Sequence, residues 1–196
     1  MRAPQTGQMP IAIGTANAYA AAVARRLTRG LGKRTLDEPQ RQAIGQALGR
    51  IPSGLFILTA QHEERRTGIL ASWVQQAGFD PPTVSVAVAK GRPIMPLISE
   101  SRRFGLCQLA EGERIIRRKF SGTGDAGEDP FLGLDMLRDT VLDVPILSLA
   151  MAYLECEVVC HVDVEGDHDM FIGAVRGGRY LRGEPLIYVR KDGFKY

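Results

Sequence analysis

The decisive stretch of this chain reads Gly68-Ile69-Leu70-Ala71-Ser72-Trp73-Val74-Gln75-Gln76-Ala77-Gly78-Phe79-Asp80-Pro81-Pro82 and continues as Thr83-Val84-Ser85-Val86-Ala87-Val88-Ala89. The pattern predicts a strand from Thr67 to Val74, a turn at the two prolines and a second strand from Thr83 to Ala89. Small and polar residues at the end of the first strand would form a wall against which a flat ligand can lie.

The second strand runs into the corner Lys90-Gly91-Arg92-Pro93. An arginine binds a phosphate through two parallel hydrogen bonds, and a lysine acts on it as a point charge. Gly91 lets the backbone approach a ligand, and Pro93 suits the first turn of a short helix. The corner therefore predicts a phosphate site held by Lys90 and Arg92, with a solvated basic turn as the alternative.

The remaining patterns predict a mainly β chain with short helices, in the α+β class. Predicted helices are Asp37 to Gly49, Pro93 to Ile98 and Glu111 to Phe120; further strands are Leu55 to Ala60, Arg103 to Leu109, Tyr153 to Val164, Asp169 to Arg176 and Leu186 to Arg190. Turns are expected at Glu165 to His168 and at Arg176 to Arg179, and a loop at Gly122 to Pro130. Many strands without regular strand–helix alternation favour a barrel over a doubly wound sheet.

Charge divides the chain into two parts. Residues 1–35 contain six basic and no acidic residues, whereas residues 36–196 contain 19 basic and 22 acidic residues. We therefore expect a basic N-terminal arm over 1–35, partly helical, followed by one domain over 36–196.

Several function classes are not indicated. The net charge of +3 does not point to nucleic acid, and no apolar run is long enough to predict a membrane span. Three widely spaced cysteines suggest reduced thiols and a cytoplasmic protein. The three histidines lack metal-ligand spacing, so no metal is predicted.

Three side chains outside the basic corner are candidates for ligand contact. The Ser72 hydroxyl can donate to or accept from a ligand, and Trp73 is either a core aromatic or a ligand wall. Strand alternation would place Ser72 and Val74 on one face and Trp73 and Gln75 on the other. His168, in the turn Gly166-Asp167-His168, is either a donor to a dinucleotide or an ordinary surface residue.

Residues 45–196 resemble the flavin reductase-like, FMN-binding split-barrel family, and in particular the C-terminal flavin reductase module of diflavin flavoproteins. The matching landmarks, in order, are Leu48-Gly49-Arg50, Gly54-Leu55, Thr59-Ala60, Gly68 to Ala77, Pro81-Pro82, Val86 to Arg92, Ala152 to Cys156, Gly166-Asp167-His168 and Arg190-Lys191 with Gly193 and Tyr196.

The resemblance implies a split β-barrel homodimer that binds FMN, takes hydride from NADH or NADPH and passes electrons to an unknown acceptor. No catalytic residue is expected beyond the flavin itself. The flavin-binding residues implied are Ala71, Ser72, Trp73, Val74, Gln75, Gln76, Ala89, Lys90, Arg92 and Cys107, and His168 is implied at the nicotinamide. Cys107 is a departure, because similar proteins commonly carry a polar amide there, and it would place a thiol close to the flavin.

The sequence leaves two alternative functions open. One is an FMN-binding electron carrier without its own NAD(P)H activity, and the other is a non-enzymatic split-barrel module that binds another ligand or a protein partner. The sequence leaves open the choice of NADH or NADPH, and whether FMN is a bound group or a released substrate.

Overall fold

The structure is a computed structural model that describes residues 36–122 and 129–195. Seven strands form one antiparallel sheet in the order β2-β1-β5-β6-β7-β4-β3. They are β1 Phe56–His62, β2 Arg65–Ala71, β3 Val74–Phe79, β4 Pro82–Ala89, β5 Arg103–Gln108, β6 Ala152–Asp163 and β7 His168–Tyr180. The order runs from β2 at one edge to β3 at the other without closing, and it confirms the predicted split barrel with short helices.

The predicted strand from Thr67 to Val74 is in fact two strands. Ala71, the last residue of β2, pairs with Phe56 of β1, whereas Val74, the first residue of β3, pairs with Val86 of β4. The chain therefore changes its pairing partner at Ser72 and Trp73. This break puts both side chains at the junction of two sheet regions, not on opposite faces of one strand.

Two predictions at the C-terminal end of the sheet are wrong. No turn forms at Arg176 to Arg179, because β7 continues to Tyr180 with a shift in register opposite Glu155 and Cys156. A Cβ atom at Gly177 would lie 2.9 Å from Oε1 of Glu155, so glycine there permits a close approach within the sheet.

The predicted strand Leu186 to Arg190 is also absent from the sheet. The segment makes isolated bridges instead, in which the Tyr188 N–H donates to the Ser53 carbonyl at 2.8 Å. The Arg190 N–H donates to the Gly49 carbonyl at 3.1 Å. The C-terminal segment therefore runs beside the end of the first helix.

Three helices flank the sheet in the described residues: α1 Glu38–Gly49, α2 Ile94–Ser101 and α3 Arg114–Phe120. The predicted cap of α1 is confirmed, since the Gln40 N–H donates to Oδ1 of Asp37 at 2.8 Å. Helix α3 begins three residues later than predicted, after a turn at Glu111 and Gly112. None of these helices is long and apolar enough to cross a bilayer.

Two apolar cores hold the sheet together. The first packs α2 against the strands and includes Val86, Phe104, Leu106 and Phe171. The second contains Leu55, Ile57, Cys107, Phe120, Phe131, Ile146 and Leu147. Burial of each side chain of this size stabilises the folded state by about 1.5–3 kcal/mol. Together the two cores hold the strand ends that line the cavities of the candidate site. The predicted arm over 1–35 and most of the predicted loop Gly122 to Pro130 lie outside the described residues.

Candidate functional site

One cavity lies between the ends of β2 and β4 and helix α3, with a volume of about 610 Å³. We call it the arginine cavity, after Arg92, Arg114, Arg117 and Arg118 in its wall. The rest of its lining is Leu55, Ile69, Leu70, Ala71, Ser72, Ala87, Val88, Ala89, Phe120, Ser121 and Tyr188.

Strand alternation explains why β4 leaves room here. Val84, Val86 and Val88 are buried in the first core, and the alternate residues Ser85, Ala87 and Ala89 point to the other face. Those residues are small, and Ala87 and Ala89 line the arginine cavity. A flat ligand can therefore approach the backbone of β4.

Helix α3 is held in place by two buried side chains one turn apart, Ile116 and Phe120. A Cβ atom at Gly68 would lie 2.9 Å from Cε1 of Phe120, so a glycine on β2 lets the helix pack closely on the strand. The guanidinium of Arg117 lies over the ring of Tyr188, 5.4 Å from the ring centre. This packing directs three arginines of α3 into the cavity wall.

The charge of the arginine cavity is one-sided. Among the described residues, its lining contains four guanidinium groups and no aspartate or glutamate. None of the four arginines makes an ion pair within residues 36–122 and 129–195. Guanidinium groups in such a setting bind phosphate through charge-assisted hydrogen bonds.

A second cavity of about 760 Å³ lies between the break after β2, the start of β7, α1 and the C-terminal segment. We call it the aromatic cavity, because the Trp73 ring lies 4.6 Å from the His168 ring and 5.1 Å from the guanidinium of Arg190. Its remaining lining is Arg41, Leu48, Ile51, Pro52, Ser53, Ser72, Val74, Gln75, Ser85, Ala87, Asp167, Met170, Gly193, Phe194 and Lys195.

The two cavities meet at Ser72 and Ala87, which line both. Ser72 is 4% exposed, and its Oγ has no hydrogen-bond partner among the described residues. A buried hydroxyl without a partner costs about 1–3 kcal/mol. A ligand with polar atoms along one edge, such as an isoalloxazine ring, would satisfy it, so the residues present fit a flavin.

The structure brings most of the sequence-predicted site residues to these cavities. Ala71, Ala89 and Arg92 line the arginine cavity, and Ser72 lines both. Trp73, Val74, Gln75 and His168 line the aromatic cavity. The predicted alternation of faces from Ser72 to Gln75 does not apply at Ser72 and Trp73, because they lie between β2 and β3; all four residues line that cavity.

Lys90 lines neither cavity in the structure. Its Nζ lies 2.7 Å from Oδ1 of Asp163 and 3.5 Å from Oδ1 of Asp169, which also lies 3.0 Å, through Oδ2, from Nε2 of His161. The hydrogen bond with Asp163 raises the pKa of the Lys90 ammonium and lowers the pKa of the Asp163 carboxyl. We call these four residues the lysine network.

The lysine network lies beside the predicted nicotinamide residue. The backbone N–H of Lys90 donates to the backbone carbonyl of Asp167 at 2.9 Å. Nδ1 of His168 lies 2.9 Å from the side-chain Oδ1 of Asp167. The hydrogen bond with His168 lowers the pKa of the Asp167 carboxyl. Lys90 thus ties the end of β4 to the turn that carries His168.

Gln76 and Cys107 also lie outside both linings. Nε2 of the exposed Gln76 donates to the Gly78 carbonyl at 3.3 Å. Cys107 is fully buried in the second core, where its Sγ accepts the Leu147 N–H at 3.3 Å and burial raises the pKa of the thiol to about 12. Their roles at the flavin remain predictions from the resemblance.

Sequence reasoning missed several residues of the linings. The spacing Arg114-x-x-Arg117-Arg118 was a usable signal, because residues three and four apart share one face of a helix. Tyr188, Arg190 and Phe194 gave no comparable signal, since the expected closing strand implied a different path for that segment.

A family model described as "Flavin reductase like domain" matches residues 48–195. The chain belongs to the flavin reductase-like domain family. The match begins at the end of α1 and includes every strand and every residue of the two cavity linings except Arg41.

Individual relatives agree with this assignment. This chain is 41% identical over 156 residues to "Diflavin flavoprotein A 1" of Synechocystis sp. The match covers 78% of this chain and 27% of that protein. The chain thus spans about a quarter of the length of that relative.

Solved structures show the same fold. The styrene monooxygenase flavin reductase of Pseudomonas putida is 30% identical, with a TM-score of 0.64, over 74% of this chain and 90% of its own. An NADH:FAD oxidoreductase of Streptomyces globisporus has a TM-score of 0.70 at 22% identity, over 80% of this chain and 93% of its own.

Proposed function

We propose that this flavin reductase-like chain binds FMN in the arginine cavity and reduces it with NADH or NADPH bound in the aromatic cavity. The observation that carries the proposal is the junction of the two cavities at Ser72 and Ala87. A ligand in each would meet its neighbour at that junction, as transfer between two bound molecules requires.

The phosphate end of FMN is assigned to the guanidinium groups. A phosphate monoester carries nearly two negative charges at neutral pH. Arg92 and the α3 residues Arg114, Arg117 and Arg118 supply donors on two sides of the cavity. The ring end then extends along Ala71 and Ala89 to the hydroxyl of Ser72.

The nicotinamide end of the donor is assigned to the wall built by Trp73 and His168. His168 is 8% exposed and its ring packs 4.6 Å from the Trp73 ring, so burial and packing hold its orientation. The backbone at Trp73 is fixed as well, since its carbonyl accepts the Ala87 N–H at 3.0 Å. These contacts orient a flat ring beside the junction.

When bound, the flavin supplies the redox chemistry by accepting hydride from the reduced nicotinamide. The chain binds and orients the two molecules. No protein side chain has to move a proton for the hydride step, in keeping with the expectation of no catalytic residue beyond the flavin.

The proposed setting is a cytoplasmic homodimer that passes electrons to a further acceptor. Support for self-association comes from apolar side chains that one copy leaves exposed. Phe79, at the end of edge strand β3, is 89% exposed, and Ile187 beside the cavities is 68% exposed. Burial of such residues between two copies is the usual way to cover them.

A visible spectrum of the full chain tests the function. The flavin bands should change in shape relative to free FMN when the protein is added, and they should bleach without air when NADH or NADPH is added. Bands that bleach only with a chemical reductant would support the electron-carrier alternative. A protein that binds no FMN would contradict the proposal and favour a non-enzymatic split-barrel module.

A further inference from the structure

We infer that the outer end of the aromatic cavity binds the 2′-phosphate of NADPH through Arg41 and Lys195, so that NADPH is preferred to NADH. The inference rests on the proposed function for the location of the nicotinamide. It assigns a phosphate monoester site, separate from the arginine cavity, to residues of α1 and the C-terminal segment.

The aromatic cavity has an inner and an outer end. The inner end, with Ser72, Ala87 and Trp73, adjoins the arginine cavity. The outer end is made by Arg41 of α1 together with Phe194 and Lys195. A dinucleotide with its nicotinamide at the junction would therefore extend its adenosine toward α1.

The C-terminal segment is fixed against α1, so the outer end is a defined surface. The Gly193 N–H donates to the Gly45 carbonyl at 2.7 Å, and the Phe194 N–H donates to Oδ1 of Asp192 at 2.9 Å. The guanidinium of Arg41 lies 4.5 Å from the centre of the Phe194 ring. Stacking on that ring occupies the face of the guanidinium and leaves its N–H edges for a ligand.

The aromatic cavity has more cationic side chains than are needed to neutralise the charges of NADH. Arg41, Arg190 and Lys195 line it, and none of them makes an ion pair in the described part of the chain. The one lining carboxylate among those residues, Asp167, is engaged by His168. NADH brings only the two charges of its diphosphate.

NADPH adds a monoester with nearly two further charges at neutral pH. Arg190 lies beside Trp73 and donates through Nη1 to the Gly193 carbonyl at 3.2 Å, midway along the cavity wall. That position suits the diphosphate. Arg41 and Lys195 are then left to neutralise the 2′-phosphate, for which an arginine with free N–H edges is the fitting donor.

Binding of nucleotide fragments tests the site without any redox reaction. Calorimetric titration of the full chain with 2′,5′-ADP and with 5′-AMP compares ligands that differ by the 2′-phosphate. We expect 2′,5′-ADP to bind at least about tenfold more tightly, the worth of one charge-assisted hydrogen bond. Arg41→Gln should remove most of that difference, and Lys195→Gln part of it.

Arg138→Gln is the matched control, because Arg138 is exposed in the loop after α3 and lines neither cavity. It should leave the preference for 2′,5′-ADP intact. Lys195→Gln changes an exposed side chain and does not threaten folding, so it keeps the test valid if Arg41→Gln unfolds. Equal binding of both fragments by the wild-type chain would overturn the inference.

Kinetics with FMN separates this inference from the proposed function. We expect kcat/KM for NADPH to exceed that for NADH by at least about tenfold, and Arg41→Gln to lower it for NADPH alone. An enzyme that oxidises NADH and NADPH equally well would support the proposed function and contradict the inference. A chain that oxidises neither nucleotide, yet binds 2′,5′-ADP tightly, would contradict the proposed function and support the 2′-phosphate site.

Discussion

The lysine network and the arginine cavity are both rich in charge, yet they are built on opposite principles. In the network, the ammonium of Lys90 lies within 3.5 Å of two carboxylates, those of Asp163 and Asp169. In the arginine cavity, four arginines line the wall without a carboxylate in the described lining. Charges that already have protein partners are engaged within the fold, whereas charges without protein partners are available to a ligand.

The difference is sharpest at neighbouring positions in the chain. Lys90 and Arg92 belong to one basic corner in the sequence, but Lys90 is directed toward the turn that precedes β7 and Arg92 toward the arginine cavity. Gly91 between them has φ of +79°, a conformation that glycine adopts easily. We therefore propose that only Arg92 of this pair contacts the flavin phosphate.

The largest expected effect follows from removing a cation of the arginine cavity. Arg92→Gln should weaken FMN binding by about 10- to 100-fold, because a hydrogen bond to a charged group is worth about 1.5–3 kcal/mol. Fluorescence titration with FMN measures the change. Arg65→Gln, which removes an exposed arginine paired with Glu100 at 3.2 Å, is the control and should not alter FMN affinity. Equal losses in the two variants would remove the distinction between the two kinds of charge.

A smaller effect is expected at the junction of the cavities. Ser72→Ala should weaken FMN binding by about two- to tenfold, the value of one uncharged hydrogen bond. The same variant should leave the flavin-free protein as stable as before, or more stable, because it removes a buried hydroxyl that lacks a partner.

Ser85→Ala is the matched control for that variant. The Ser85 hydroxyl already donates to the Gln75 carbonyl at 3.3 Å and lines only the aromatic cavity of the two. Thermal unfolding with and without FMN reads both effects. A Ser72→Ala protein that loses stability but keeps its FMN affinity would show that the hydroxyl serves the fold.

The lysine network should act on the nicotinamide and not on the flavin. Lys90→Met is expected to raise the KM for the nicotinamide nucleotide several-fold, since it removes the ion pairs from the end of β4 to Asp163 and Asp169 on either side of the turn that carries His168. It should leave FMN affinity unchanged. Steady-state kinetics and FMN titration separate the two effects.

Asp163→Asn supplies the companion experiment, because it removes the same ion pair from its acidic side. A positioning role predicts similar increases in KM for the two variants. A direct phosphate contact predicts that Lys90→Met weakens FMN binding while Asp163→Asn, which frees the ammonium, does not. The second pattern would show that Lys90 contacts the flavin phosphate.

The smallest effect on the flavin is expected at Cys107. Cys107→Ala should leave FMN affinity unchanged, because the thiol lies in the second core and lines neither cavity. It should lower the free energy of unfolding by about 1–3 kcal/mol, since the buried Leu147 N–H loses its acceptor. Urea denaturation gives the second value, and a clear loss of FMN affinity would place the thiol at the flavin after all.

Local patterns predicted most of the fold. The cap at Asp37 depends on a contact three residues away, and the strands from Thr83 and from Arg103 follow periods visible in the sequence. The break after Ala71 could not be predicted in this way, because it arises when β2 pairs with β1 and β3 pairs with β4. Pairing partners distant in the sequence decide it.

The candidate site was predictable to a similar depth. The residue patterns and the resemblance together led to Ser72, Arg92 and His168, which the structure brings to the two cavities. It could not show that Lys90 is engaged by Asp163, a residue 73 positions further along the chain. Nor could it place Arg190 beside Trp73, since that contact depends on the path of a segment with no regular structure.

The sources of the two cavity walls have a consequence for how such proteins diverge. The cations of the arginine cavity come from the corner after β4 and from α3, whereas those of the aromatic cavity come from α1 and the C-terminal segment. Within the described chain, the two linings have only Ser72 and Ala87 in common. On the proposed function, mutation and selection can therefore change the preferred electron donor without disturbing the hold on the flavin, and the reverse.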